Sequence, residues 1–227
     1  MASGMLAGTK MPELLTIVLA TTNHGKILEL RALLGDLPIQ FASVTEVLGE
    51  ALNIVEDGAT FEDNALIKAR AVARATRTWA LADDSGLEVD ALGGRPGVRS
   101  ARFAHERATD AENNAALLRE LENIDEAARS ARFRCVLSLV SPWRESEAHI
   151  AEGSCEGSIA RAPRGNGGFG YDPLFVVAGQ GGKAMAELSE AEKNKVSHRA
   201  RAVHALRSIL IRLVNERLDE AERIAGP

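Results

Sequence analysis

The apolar run Leu14-Leu15-Thr16-Ile17-Val18-Leu19-Ala20 stops at Thr21-Thr22-Asn23-His24-Gly25-Lys26, after which Ile27, Leu30, Leu33 and Leu34 recur at helical spacing. A short continuous apolar run reads as a buried strand, and the recurrence every three to four residues reads as an amphipathic helix. Strand, polar Gly-containing loop and helix, in that order, aim backbone N–H groups at an anion. The loop is not a Walker loop, which needs Gly, four residues, then Gly-Lys-Ser/Thr. Standing alone, it reads better as a plain strand-to-helix connection.

The chain goes on alternating between the two periods. Residues 60–76 look helical, and Thr60 with Asp63 three residues later resembles a capping pair. Trp79-Ala80-Leu81-Ala82 is strand-like, is broken by Asp83-Asp84-Ser85-Gly86, and resumes as Leu87-Glu88-Val89. Thr109 with Glu112 opens a helix through Leu117, Leu118 and Leu121, and Ser189 with Glu192 opens another. Phe133, Cys135, Leu137 and Leu139 alternate, which predicts a strand with one buried face. Residues 161–172, rich in Gly and Pro, read as a long surface loop. Ala202, Ala205, Leu206, Ile209 and Leu213 share one face of the last long helix. Interleaved helices and strands predict an α/β fold.

Composition narrows the function. The 227 residues suffice for one large domain or two small lobes. Aromatics are only 4%, so Leu, Val, Ile and Ala must fill most of the core. A net charge of -5 speaks against a nucleic-acid-binding surface, though not against a small anionic ligand held by a few local cations. Cys135 and Cys155 have no metal-ligand spacing and suggest a reducing compartment. No apolar run approaches the roughly 20 residues of a membrane span. The expected location is cytoplasmic, with no membrane partner.

Four segments could carry chemistry. In Asp83-Asp84-Ser85-Gly86, adjacent side chains on an extended chain point to opposite faces, so one Asp can reach a ligand while the other braces a turn. Phosphoryl chemistry needs such carboxylates to hold Mg²⁺ and to orient or deprotonate water; an Asx turn with two solvated acids would look the same. Residues 21–26 could cradle phosphates with hydroxyls, backbone N–H groups and the Lys26 ammonium. Phe169-Gly170-Tyr171-Asp172 places two rings in a flexible loop, suited to stacking on a purine unless they fold back onto the core. Lys193, His198 and Arg199 form a basic cluster that could converge on a ligand or stay solvated. Lys68, inside an amphipathic helix, reads from its surroundings as a wet-face residue.

Taken in order, these segments resemble the Ham1/RdgB family, the inosine triphosphate pyrophosphatases. The resemblance runs from about Ile17 to Ala205. It rests on Ala20-Thr21-Thr22-Asn23-His24-Gly25-Lys26, Thr60-Phe61-Glu62-Asp63-Asn64-Ala65 with Lys68-Ala69, and Ala82-Asp83-Asp84-Ser85-Gly86-Leu87. Leu92-Gly93-Gly94-Arg95-Pro96-Gly97, Ser100-Ala101-Arg102, Gly168-Phe169-Gly170-Tyr171-Asp172-Pro173, Ala186-Glu187-Leu188, Glu192-Lys193 and Ser197-His198-Arg199 complete it. The resemblance implies a homodimer of elongated two-lobed subunits, each with a curved mixed sheet flanked by helices and a nucleotide cleft between the lobes. It implies Mg²⁺-dependent hydrolysis of ITP, dITP and XTP to monophosphate and pyrophosphate. Thr21, Thr22, Asn23, His24, Gly25 and Lys26 would hold phosphates. Asp84 would be general base and metal ligand, Ser85 and Lys68 would touch substrate, Phe169, Gly170, Tyr171 and Asp172 would sandwich and read the purine, and Lys193, His198 and Arg199 would complete a clamp.

The boundaries follow: a flexible extension over 1–13, one two-lobed domain over 14–211, and a helical extension over 212–227. One departure concerns the metal. Family members often carry paired acids before Thr-Gly, whereas this chain reads Val55-Glu56-Asp57-Gly58, leaving Glu56 as the expected second metal ligand. Two other functions remain open: a Maf-like pyrophosphatase acting on pyrimidine triphosphates, and a nucleotide sensor without turnover.

Overall fold

Strand β1 (Leu15–Leu19) leads into helix α1 (His24–Leu34), and β2 (Ile39–Ser43) returns beside β1 in parallel register. The computed structural model describes residues 14–225; the expected extension over 1–13 lies outside them. The chain continues through α2 (Val44–Leu48), α3 (Phe61–Thr76), β3 (Trp79–Val89) and α4 (Asp110–Glu120). Then follow β4 (Ser130–Ser141), β5 (Arg144–Ile159), β6 (Phe175–Val177), α5 (Glu190–Val196) and α6 (His198–Ala225). The sheet order is β2-β1-β3-β4-β5-β6, with β1 parallel to β2 and β3 and the remaining pairs antiparallel. This is the α/β architecture that the alternating pattern predicts, with the mixed sheet that the family resemblance implies.

The two faces of the sheet follow residue parity, as pleated strands require. Ile17, Leu19, Leu81, Leu137 and Leu139 face α1 and α6, against Leu30, Leu34, Leu206 and Leu210. Val18, Ala20, Ala80, Ala82 and Val140 face α3, against Ala69, Val72 and Ala73. A second core lies farther along β3 and β4, where Leu87, Val89 and Phe133 meet Leu117, Tyr171, Leu174 and Phe175. Thr60, Thr109 and Ser189 all make the expected capping boxes, so α3, α4 and α5 begin where the sequence places them.

Three local expectations change. The acidic tetrad does not break its strand: β3 runs through it unbroken, because Asp83, Asp84, Ser85 and Gly86 pair with Leu137, Val136, Cys135 and Arg134 of the long neighbour β4. The second half of β4 is buried on both faces, since α3 covers one side and α6 the other. In α6, Ala205 is exposed, and the buried stripe is Ala202, Val203, Leu206, Leu210 and Val214. Among the described residues, no helix is long and apolar enough to cross a membrane.

Candidate functional site

A cleft of about 550 Å³ lies beyond the end of β1, walled by α3 on one side and the start of α6 on the other. Thr21, Thr22, Asn23 and Lys26 line its floor. Asn23 caps α1 by accepting the Lys26 backbone N–H (3.1 Å), and the Thr21 hydroxyl accepts the Asn23 N–H (3.2 Å), so the loop is held by its own side chains. His24 is exposed and does not line the cleft. Gly25 lies beneath the Phe169 ring: a Cβ there would sit 2.6 Å from the ring.

Because β3 is continuous, Asp83 and Asp84 are divided by the pleat. Asp83, fully buried, faces α6; Asp84, 8% exposed, faces α3 and the cleft. Asp83 takes Lys26 Nζ at 2.6 Å and Ser85 Oγ at 2.8 Å on Oδ1, and Arg199 Nε at 2.7 Å and Cys135 Sγ at 3.2 Å on Oδ2. Burial alone would push this carboxyl up, but Arg199 and Lys26 outweigh it and hold Asp83 well below the usual carboxylate range.

Asp84 meets a different balance. Its Oδ1 accepts from Lys68 Nζ at 2.6 Å, and the same ammonium reaches Glu56 Oε2 at 2.7 Å. Burial dominates and raises the Asp84 carboxyl above its ordinary value, against the pull of Lys68. Lys68 is itself buried, correcting the wet-face reading. Desolvation pushes its ammonium down, but Asp84 and Glu56 prevail and its affinity for the proton rises. Glu56 is positioned by an extended segment whose next turn is fastened by Asn64, which accepts the Gly58 N–H at 2.8 Å. Val55 points away from this arrangement and is 70% exposed.

The far wall is built from the loop at 168–172 and the α5–α6 junction. Phe169 borders the cleft with Lys193 Nζ 5.0 Å and the Arg199 guanidinium 5.8 Å from its ring centre, both cation–π distances. Tyr171 does not offer its ring for stacking. It folds into the second core and its hydroxyl donates to Ser100 O at 2.8 Å, so only Phe169 of the two aromatics is a half-exposed ring. Gly170 is clamped by α4: its N–H donates to Asp110 Oδ2 (2.7 Å), and its carbonyl accepts from Asn114 (2.8 Å). Asp172 Oδ2 accepts the Phe169 N–H at 3.0 Å and Lys193 Nζ at 2.6 Å; burial raises its carboxyl despite that lysine.

The basic cluster is not solvated: Lys193, His198 and Arg199 are 7%, 5% and 1% exposed. The kink at Ser197 between α5 and α6 lets all three face inward. Arg199 is spent on Asp83, Ser85 and Glu29, the last through a short contact. His198 stacks on Phe133 with centroids 4.8 Å apart, and its Nδ1 has no protein partner. Burial, with Arg199 beside it, drives its pKa well below the ordinary histidine value, so the ring is neutral.

Glu29, Asp110, Asn114 and Cys135 are site residues that sequence reasoning missed, and Ser100, quoted only for the family resemblance, was given no role. Glu29 had one available signal, its position three residues after Lys26 on the same helix face. The others have partners far away in sequence and no local pattern. For a metal, the donor set is Asp84 and Glu56. Two carboxylates at one edge of the cleft, sharing Lys68, fit Mg²⁺, which uses one or two carboxylates plus substrate phosphates and water. Among the described residues there is no cluster of three or more acidic, His or Cys ligands.

Comparison with known proteins agrees with this geometry. The model of the Ham1 family matches residues 17–209. A dITP/XTP pyrophosphatase of Desulforamulus reducens is 51% identical over 197 residues, covering 87% of this chain and 96% of the relative. One from Geobacillus kaustophilus is 48% identical over 190 residues, covering 84% and 91%. Among solved structures, a HAM1 protein from Coxiella burnetii has a TM-score of 0.79 at 46% identity, covering 88% of this chain and all of that one. The Staphylococcus aureus Ham1 protein has 0.75 at 39%, covering 86% and 97%. With the sheet, the cleft and the ordered motifs in agreement, the chain belongs to the Ham1 family.

Proposed function

We propose that this chain hydrolyses non-standard purine nucleoside triphosphates (ITP, dITP and XTP) to monophosphate and pyrophosphate, clearing them from the nucleotide pool, with Asp84 as general base. The observation that carries the proposal is the division of the two aspartates. Asp84 faces the cleft with a carboxyl made more basic by burial, as a group that must accept a proton from water requires. Relatives named dITP/XTP pyrophosphatase support the reaction class.

The triphosphate lies over residues 21–26, its charge met by Lys26 and Lys68. Asp84 and Glu56 would hold Mg²⁺, which when bound neutralises phosphate oxygens and acidifies water. A water held by Asp84 attacks phosphorus in line, its proton passes to Asp84 Oδ, the α–β anhydride bond breaks and pyrophosphate departs. Phe169 stacks on the purine. A donor facing the 6-keto oxygen discriminates against adenine, whose amino group would leave that donor unpaired. Arg199 is already committed, so the neutral His198, with its unpartnered Nδ1, is the better placed of the two side chains. The same reading takes the enzyme to be a cytoplasmic homodimer.

The deciding experiment is a pyrophosphate-release assay on dITP, XTP, dTTP and UTP, with Mg²⁺ omitted and restored. Release from dITP and XTP with metal is the expected outcome. Preference for the pyrimidines, or ITP binding without any release, would overturn the proposal.

A further inference from the structure

Six charged side chains in and behind the cleft wall form one alternating chain: Lys26, Asp83, Arg199, Glu29, Lys193, Asp172. Lys26 Nζ is 2.6 Å from Asp83 Oδ1, and Arg199 Nε is 2.7 Å from Asp83 Oδ2. Glu29 takes Arg199 Nη1 on one oxygen and Lys193 Nζ, at 2.6 Å, on the other. Lys193 continues to Asp172 at 2.6 Å, and Asp172 holds the Phe169 N–H. Each side chain is at most 16% exposed. Lys26 and Glu29 are one turn apart on α1, so the chain returns to the helix on which it began.

Glu29 is the only member touching both clamp cations, and it does not line the cleft. We propose that Glu29 is a positioning residue that fixes Lys193 and Arg199, and through Asp172 the Phe169 loop, so that purine discrimination depends on a carboxylate outside the substrate cleft. The physical reason is charge balance: three cations and three carboxylates cancel. Without the Glu29 charge, two buried cations face each other with one carboxylate too few, and the clamp has no fixed spacing. The phosphate end keeps Lys26 on Asp83. The proposal rests on the purine-triphosphate reading above.

The test compares wild type with Glu29→Gln, which keeps shape but not charge, and Glu29→Asp, too short to span both cations. Unfolding midpoints confirm that each variant is folded. The ratio of kcat/KM for dITP over dATP should fall by about tenfold in Glu29→Gln, the scale of coupling within one charge network, and by less in Glu29→Asp. In calorimetry, Glu29→Gln should bind inosine more weakly while inorganic pyrophosphate binds as well as to wild type or better, since the site gains positive charge. A loss of activity that is equal for dITP and dATP, with inosine affinity unchanged, overturns the proposal, because a purely structural role predicts that pattern. If Glu29→Gln fails to fold, the same ratio in Glu29→Asp decides. If wild type releases pyrophosphate from no triphosphate, the functional reading falls, and the inosine and pyrophosphate affinities still judge Glu29.

Discussion

The two sides of strand β3 use the same residue type for opposite ends. On the α6 side, Asp83 belongs to a set of three carboxylates and three cations, all nearly sealed from water. On the α3 side, two carboxylates, Asp84 and Glu56, share one ammonium, and Glu56 is about a third exposed. The first side is balanced and its charges are fixed. The second has carboxylate to spare and opens onto the cleft. A balanced, desolvated set makes a rigid frame, whereas spare basicity at an open edge is what proton transfer and cation binding need. The pleat alone separates the two, because consecutive residues of one strand point oppositely.

Paired substitutions break this comparison most directly. Asp84→Asn removes the base and leaves Lys68 on Glu56. Turnover of dITP should fall by about 10²–10⁴, the usual contribution of a positioned base, with nucleotide binding largely kept. Asp83→Asn instead strands Arg199 and Lys26, and removing one partner of a buried pair costs about 3–5 kcal/mol. Urea unfolding should therefore show the larger loss in Asp83→Asn, and single-turnover kinetics the larger loss in Asp84→Asn. The reverse assignment would mean that the two faces have been misread.

Acid should separate the two sides next. His198 is neutral and depressed in the folded protein, so the unfolded chain takes up its proton first, near the ordinary value of 6.5. Stability therefore declines as pH falls below that value, until the folded-state pKa is reached. The groups facing His198 are Arg199, Lys193 and Lys26, which oppose its charge, and Asp83, which favours it. Asp83 acts in a lower window: its carboxyl is depressed in the folded protein, so its contribution is whole above the ordinary value of 3.8 and is lost as pH falls from there, where the unfolded chain takes up the proton first. Asp84 has the opposite sign: its pKa is raised, so protonating it does not destabilise the fold but removes the base. Turnover should therefore be lost to acid before Asp83 releases Arg199. Matched pH–rate and pH–unfolding curves for wild type and His198→Gln check this, with the unfolding curve flattened in the variant.

How much of this was legible in the sequence follows from the range of the interactions. The α3, α4 and α5 starts depend on caps three residues long, and each was read correctly from the sequence, whereas α1 begins at His24, inside the segment read as a loop, because Asn23 caps it. Strand β5 was not visible. Its inward positions are Ala151, Gly153, Cys155, Gly157 and Ile159, which carry little apolar signal. They are small for a reason: a Cβ at Gly153 would run into His198 O and Ala202 N, so glycine there lets α6 lie directly on the strand and brings the clamp to the cleft. The acidic tetrad reads as a turn because aspartates are rare inside strands, and only the pairing with β4 and the distant Arg199 and Lys68 make it tolerable. Burial of Lys68, Lys193 and Arg199 was hidden for the same reason: their carboxylates come from other segments.

The smallest expected effect concerns the acid that family resemblance led one to expect beside Glu56. The alternation along this segment turns Leu52, Ile54 and Glu56 toward the protein, while Val55 is 70% exposed and does not line the cleft. Restoring an acid by Val55→Glu therefore places a carboxylate in water, on the far side of the backbone from Lys68. A substitution at such an exposed position changes stability by about 0.5 kcal/mol or less, and kcat/KM for dITP should stay within about twofold because a solvent-screened charge couples weakly to the site. The dependence of rate on Mg²⁺ concentration is the sharper readout. If Glu56 and Asp84 suffice as protein ligands, the half-saturating concentration is unchanged in Val55→Glu and rises steeply in Glu56→Gln. A lower half-saturating concentration in Val55→Glu would show that the outer position reaches the metal after all, and that the segment turns over when the cation binds.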